Sequence, residues 1–253
     1  MATTVVDETN EGPISLAKAS LIAGLGLLIM VLTTPLAEFY IFPRLTGQDS
    51  LESANRILDN ENLLKAGILL HFITLLCDIV VAWALYILLK PVSRDVSLLT
   101  AWFRLVYTAM YLIALTNLVK IINYIKDGRP STNAEQIELG NVVEFYMSSF
   151  RLEWEFGLLI FGVYLCLLGY LVCRAKYILK IFGILLWVAG FGYILNTISH
   201  WLFPELNTGF LVITFFGEII FMFWLLIKGT RLKAVSPPVQ FKESAPTPPD
   251  GSS

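Results

Sequence analysis

Three charged side chains interrupt stretches that are otherwise apolar. Asp78 sits in HFITLLCDIVVAWALYILLKP (71–91), Arg104 in TAWFRLVYTAM (100–110), and Glu218 in FGEIIFMFWLLIKG (216–229). A charge at the centre of a membrane helix costs roughly 2.5–3.5 kcal/mol on insertion scales, so each of the three needs a partner. One aspartate and one arginine cancel. A second carboxylate leaves an excess negative charge unless one carboxyl holds a proton or a cation enters. Such a cluster suits a site that carries a proton or binds a cationic group. The plainer reading is a buried ion pair that sets helix register, with the helices carrying Asp78 and Arg104 adjacent because they are consecutive.

A second set of polar residues follows the same helices toward their other ends. His71 is seven residues before Asp78 and therefore shares its helix face. Glu155 has Arg151 one turn before it, Asn196 and His200 are i, i+4 neighbours, and Glu38 follows Pro35. Asn117 and Asn123 lie late in the helix of Arg104. Imidazole and carboxylate together offer acid–base chemistry or zinc and iron ligation. No HExxH, HxxxH or paired ExxH spacing occurs, and no phosphate loop or GxSxG elbow is present, so no metal, cofactor or catalytic residue is assigned. The expectation is a polar pocket in which Glu38, His71, Asn117, Glu155, Asn196 and His200 meet a small molecule or lipid headgroup. The alternative is a scatter of residues wetted at the membrane surface.

The elements that must hold these residues are legible from composition. Of 253 residues, 56% are hydrophobic and only 15% charged, against about 25% charged in ordinary soluble domains. The mean hydropathy is +0.70. Six apolar stretches, roughly 15–37, 63–89, 96–122, 150–173, 179–202 and 209–228, each reach the ~20 residues that cross the hydrocarbon core as a helix. They are too long and too uniformly apolar for barrel strands. The expectation is an all-α transmembrane bundle of six helices over 15–230, between a polar tail at 1–14 and a Pro/Ser-rich tail at 231–253. The first stretch reads as an uncleaved anchor. Cys77, Cys166 and Cys173 fall inside spans as packing residues. A net charge of −2 excludes a nucleic-acid footprint.

Depth follows from counting at 1.5 Å per residue from the basic ends. Asp78 lies about 18 Å from the level of Lys90, Glu218 about 15 Å from Lys228, and Arg104 about 13 Å from Asp95. The three share one mid-membrane layer. Basic residues concentrate in the short connections 90–95 and 174–180, whereas 203–208 has none, which places both termini in the cytoplasm. Pro35 predicts a kink. Asp49 with Glu52 predicts the cap of a short amphipathic outer helix over 49–58. The run 133–173 predicts one helix of about 60 Å, twice the membrane core.

Glu38, Asp78, Arg104, Gly169-Tyr170 and Gly217-Glu218, with LLGYLVCRAKYILKIFGILLWVAGFGYIL (167–195), resemble the bacterial domain-of-unknown-function family DUF4386. The resemblance covers nearly all of the chain except its tails. One departure is visible: Lys176-Tyr177-Ile178-Leu179 stands where relatives carry Gly-Tyr-Leu-Pro. The resemblance implies a multi-pass protein of the bacterial inner membrane and assigns no reaction. Three readings follow: a small-solute or lipid-headgroup binding or transport-type protein, a membrane-embedded enzyme acting on a lipid or amphiphile, and a structural or regulatory subunit. The expected partners are membrane lipid and a small-molecule ligand, with oligomeric state open.

Overall fold

The computed structural model describes residues 14–126, 130, 132–202 and 216–232. The N-terminal tail to residue 13, the connection 203–208, the start of the sixth stretch at 209–215 and the C-terminal tail from 233 lie outside the described residues. The described chain is helical throughout. It comprises α1 (Leu16–Pro35), a π-helical segment (Leu36–Ile41), α2 (Phe42–Leu45), α3 (Ser50–Asp59), α4 (Glu61–Leu89), α5 (Arg94–Ile125), α6 (Asn133–Arg174), α7 (Lys180–Leu202), α8 (Phe216–Ile227) and a 3-10 turn (Gly229–Arg231).

Five of these stretches are long and apolar enough to cross a membrane: Leu16–Leu45, Glu61–Leu89, Arg94–Ile125, Asn133–Arg174 and Lys180–Leu202. Their packing has the polarity expected of lipid as solvent. On α4, Leu69, Phe72, Leu76, Ile79 and Trp83 recur at helical spacing on the exposed face, while His71, Thr74 and Asp78 face inward. A soluble helix would reverse that arrangement. The protein is a multi-pass membrane protein.

The long helices close into a ring in chain order. α1 packs on α4, α4 on α5, α5 on α6, α6 on α7, α7 on α8, and α8 returns to α1. Small residues let two of these seams close tightly. A Cβ on Gly190 would stand 2.7 Å from the Gly162 carbonyl oxygen, and one on Gly183 equally close to that of Gly169. At the α8–α1 closure, Ser20 donates its hydroxyl to the Leu225 carbonyl at 3.0 Å. In the connection between α6 and α7, Tyr177 donates to the Leu88 carbonyl at 2.6 Å, and burial pushes its phenol up to about 12. The departure at 176–179 therefore keeps a tyrosine that ties this connection to the end of α4.

The extramembrane pieces follow their capping signals. Asp49 accepts the Glu52 N–H at 2.7 Å, and Glu52 accepts the Gln48 N–H at 2.7 Å. That N–H and the Arg56 guanidinium hold the Glu52 carboxyl below the usual glutamate range. The buried side of α3, Ser53, Ala54 and Ile57, packs on α6 and so meets protein there. Gly140 permits this, since a Cβ there would approach the Ser50–Leu51 backbone within 3.2 Å. A Thr132–Glu135 capping box starts α6, whose 42 residues span about 63 Å.

The kink expected at Pro35 takes a specific form. Proline has no N–H to bond one turn back, and the helix continues past it as the π-helical segment Leu36–Ile41. The wider turn carries the helix on to Leu45 and sets the direction of Glu38.

Candidate functional site

Arg104 stands at the centre of the ring. Its Nη2 lies 2.6 Å from Asp78 Oδ1, and both side chains are buried to within 1% of complete. Nη1 donates to the Tyr164 hydroxyl at 2.6 Å, and Nη2 approaches Met30 Sδ at 3.7 Å. The guanidinium carbon also lies 4.9 Å from the Tyr164 ring centre and 5.6 Å from that of Phe161, a cation–π arrangement. Glu218 faces this group from α8, with the Tyr193 hydroxyl of α7 near its carboxyl. Every helix of the ring thus supplies one residue: Met30, Asp78, Arg104, Tyr164, Tyr193 and Glu218.

The charges in this group do not balance. Two carboxylates face one guanidinium, and Asp78 Oδ2 and Glu218 Oε1 are buried without a hydrogen-bond partner among the described residues. A cavity of about 10 Å³ lies beside Arg104 and Glu218, with Leu27, Tyr164, Leu168 and Phe221 among its other walls. That is room for about one water molecule. An organic solute does not fit this state. A proton or a single water does.

The second polar set divides among three places. His71 is fully buried, stacked on Phe42 at 5.3 Å and edge-on to Phe150 and Trp154. Its Nδ1 bonds the Tyr111 hydroxyl. Its Nε2 faces Glu38 Oε1 at 3.2 Å, and the Glu38 side chain is 25% exposed. The π-helical segment brings Glu38 to this contact. On the periphery, the exposed His200 lies 3.8 Å from the partly exposed Glu155. Asn196 is half-buried one turn before His200. The third place joins α5 to α6: Asn117 donates to Glu153 at 2.9 Å and accepts from Lys120 at 3.0 Å. Asn123 is exposed and accepts from Lys126, and Arg151 is exposed. Glu38 and His71 meet; Glu155, Asn196 and His200 share the α6–α7 surface; Asn117 stands apart. Among the described residues no three His, Cys, Asp or Glu side chains gather closely enough to share a metal ion.

Tyrosines complete both sites, and the charged residues alone do not reveal them. Arg104, Tyr107 and Tyr111 recur at i, i+3 and i+7 on one face of α5, a spacing that could have found two of them. The Tyr107 and Tyr111 rings stack at 5.9 Å, and Trp154 donates to the Tyr107 hydroxyl at 3.3 Å. Tyr164 and Tyr193 carry no comparable signal, because tyrosine is as common at membrane interfaces as in cores.

Residues 22–229 match the family described as a domain of unknown function, DUF4386. The chain belongs to this family. All six residues of the ring centre and the Glu38–His71 pair fall within the matched stretch. An uncharacterized protein of Archaeoglobus fulgidus is 34% identical over 164 residues, which cover 65% of this chain and 84% of that protein. No solved structure matches the chain.

Proposed function

We propose that this protein is a small-solute binding or transport-type protein of the cell membrane, with both termini in the cytoplasm, in which Asp78, Arg104 and Glu218 take up one positive charge. The observation that supports it is the charge imbalance at the ring centre. One guanidinium meets two carboxylates, with Asp78 Oδ2 and Glu218 Oε1 unpartnered and a water-sized cavity beside Arg104 and Glu218. Full ionisation in that low-dielectric layer leaves a negative charge that a proton or small cation relieves. The cavity admits a proton in this state, and a larger solute needs the ring to open. A purely structural ion pair needs Asp78 and Arg104 and gives Glu218 nothing to do.

The lipid partner is the bilayer around the apolar outer faces of α4 and its neighbours. The basic connections at 90–95 and 174–180 support the orientation. Proteoliposomes carrying a potassium gradient and a potassium ionophore test the reading through an internal pH dye. Wild type should acidify or alkalinise the lumen at least ten times faster than empty vesicles, and Glu218→Gln should return the rate to the empty-vesicle value. A parallel thermal-shift screen of small ammonium and guanidinium compounds tests cation binding. Wild type that moves no protons and gains no stability from any of these cations would overturn the reading.

A further inference from the structure

We propose that Glu38 and His71 form the outer proton-exchange site of this bundle, with Tyr111 as the next group on the way to the ring centre. The inference rests on the reading of the Asp78–Arg104–Glu218 cluster as the place where positive charge is taken up. Four observations carry it.

First, His71 is fully enclosed yet both ring nitrogens meet groups that exchange protons: Nε2 faces Glu38 at 3.2 Å and Nδ1 bonds Tyr111. Second, Glu38 joins inside to outside, with a quarter of its side chain accessible while its Oε1 is buried 3.2 Å from Nε2, close enough to exchange a proton though the two are not aligned as a hydrogen bond in this state. Third, the π-helical segment that aims Glu38 is a departure from α-helical geometry of the kind found at functional sites. Fourth, two parallel rows connect the sites. His71, Thr74 and Asp78 share one face of α4, and Tyr111, Tyr107 and Arg104 share one face of α5. The two sites are seven residues apart on both helices, about 10 Å.

The groups facing His71 are few. The π-helical segment supplies Glu38 and α5 supplies Tyr111. α2 and α6 supply only the rings of Phe42, Phe150 and Trp154. Asp78 lies two turns along its own helix. Only O–H and N–H bonds change in the transfer. The Glu38 carboxyl gives its proton to Nε2, and the resulting imidazolium releases the Nδ1 proton to the Tyr111 oxygen. The Tyr111 hydroxyl proton ends on the excess carboxylate of the ring centre, about 10 Å farther in, with water as the carrier across that gap. The imidazole is neutral before and after, with its proton moved from Nδ1 to Nε2 and a ring reorientation or reverse exchange restoring it.

The chain has two histidines, which makes a clean test available. His200 is on the α6–α7 surface, so in a His200→Ala protein His71 is the one imidazole. With 15N-labelled histidine in lipid nanodiscs, its two nitrogen signals should respond to a step in bulk pH. Adding Glu38→Gln should abolish that response or slow it at least tenfold. In proteoliposomes, Glu38→Gln and Tyr111→Phe should each cut proton uptake at least tenfold, with unchanged helicity and a cooperative melt confirming the fold. Uptake lost in Glu218→Gln but intact in Glu38→Gln and Tyr111→Phe would overturn the exchange site and leave the ring-centre reading standing. A His71 signal indifferent to pH overturns the exchange site whatever the flux. A responsive, Glu38-dependent His71 in a protein that moves no protons and gains no stability from any of the cations overturns the ring-centre reading and supports the exchange site.

Discussion

Removing one partner at the ring centre should have unequal effects, and the inequality follows from the count of charges. Arg104→Gln strands Asp78, which is fully buried, leaves Glu218 facing it, and takes the donor from the Tyr164 hydroxyl. Breaking a buried pair typically costs about 3–5 kcal/mol, and this variant should fall in that range at neutral pH. Asp78→Asn keeps the guanidinium, which still has Glu218 opposite it, so its loss should be nearer the ~1–3 kcal/mol of one unsatisfied buried group. Replacing both should cost less than the sum of the singles by more than about 1 kcal/mol, because neither then strands the other.

The pH dependence separates the two singles further. Carboxyls can neutralise themselves by taking a proton, and arginine cannot lose one in a protein. Lowering pH from 7 to 5 should therefore narrow the deficit of Arg104→Gln relative to wild type and not narrow that of Asp78→Asn, in which one carboxylate already balances one guanidinium and no excess charge is left for a proton to relieve. Equilibrium unfolding in mixed micelles, followed by circular dichroism at several pH values, measures all four proteins. Equal losses for the singles, or additivity in the double variant, would refute the picture of one guanidinium shared by two carboxylates.

Other perturbations have outcomes set by burial and geometry. Glu155→Ala should change stability by less than about 0.5 kcal/mol, because its partner His200 is an accessible side chain. His71→Ala should cost more than about 2 kcal/mol, since it empties an aromatic enclosure and leaves Tyr111 unpaired; thermal melts of the two compare them directly. Gly190→Ala should destabilise by about 1–3 kcal/mol, because its Cβ would meet the Gly162 carbonyl at 2.7 Å. The lowered Glu52 carboxyl contributes to α3 above the usual glutamate range and stops doing so as pH falls through its depressed value. Amide exchange in α3 should accelerate there in wild type and show no such step in Glu52→Gln. In a Cys-free background, a cysteine at Asn55 should label from outside intact cells and one at Lys176 only after permeabilisation; the reverse would invert the orientation.

What the sequence revealed of this arrangement depended on how local the determining physics was. Asp78, Arg104 and Glu218 could be brought to one level by counting, because straight helices convert residue number to depth with a fixed rise. The capped start of α3 and the length of α6 were legible for the same reason: a cap is a contact across three residues. The distribution of the second polar set was not. Whether Glu155 turns toward His71 or His200 depends on the rotation of α6, and α6 carries polar residues on both faces at that height, Glu153 toward α5 and Arg151 and Glu155 elsewhere, so periodicity carries little of that information. Asn117 likewise finds Glu153 through the α5–α6 seam, a pairing across 36 residues that no spacing rule marks.

Pro35 shows how a local signal can carry a distant consequence. A proline in a helix predicts a lost hydrogen bond and a bend, and nothing in the rule says where the next side chains will point. Here the helix absorbs the defect by widening over Leu36–Ile41. Across that segment each residue advances less far around the axis than in an α-helix, so every side chain after Pro35 is rotated relative to the face set by Ala19 and Ala23. Glu38 lies three residues into that widened turn and ends at the His71 imidazole, with Phe42 stacked on the same ring one turn later. Replacing Pro35 with alanine restores the missing N–H and favours a regular α-helix through the segment. That would turn Glu38 away from His71 without touching either side chain. In the single-histidine protein, Pro35→Ala should therefore reproduce the nitrogen spectrum of Glu38→Gln. An unchanged spectrum would show that the π-helical turn is held by the packing of Ile41 and Phe42 on α4, with the proline incidental to it.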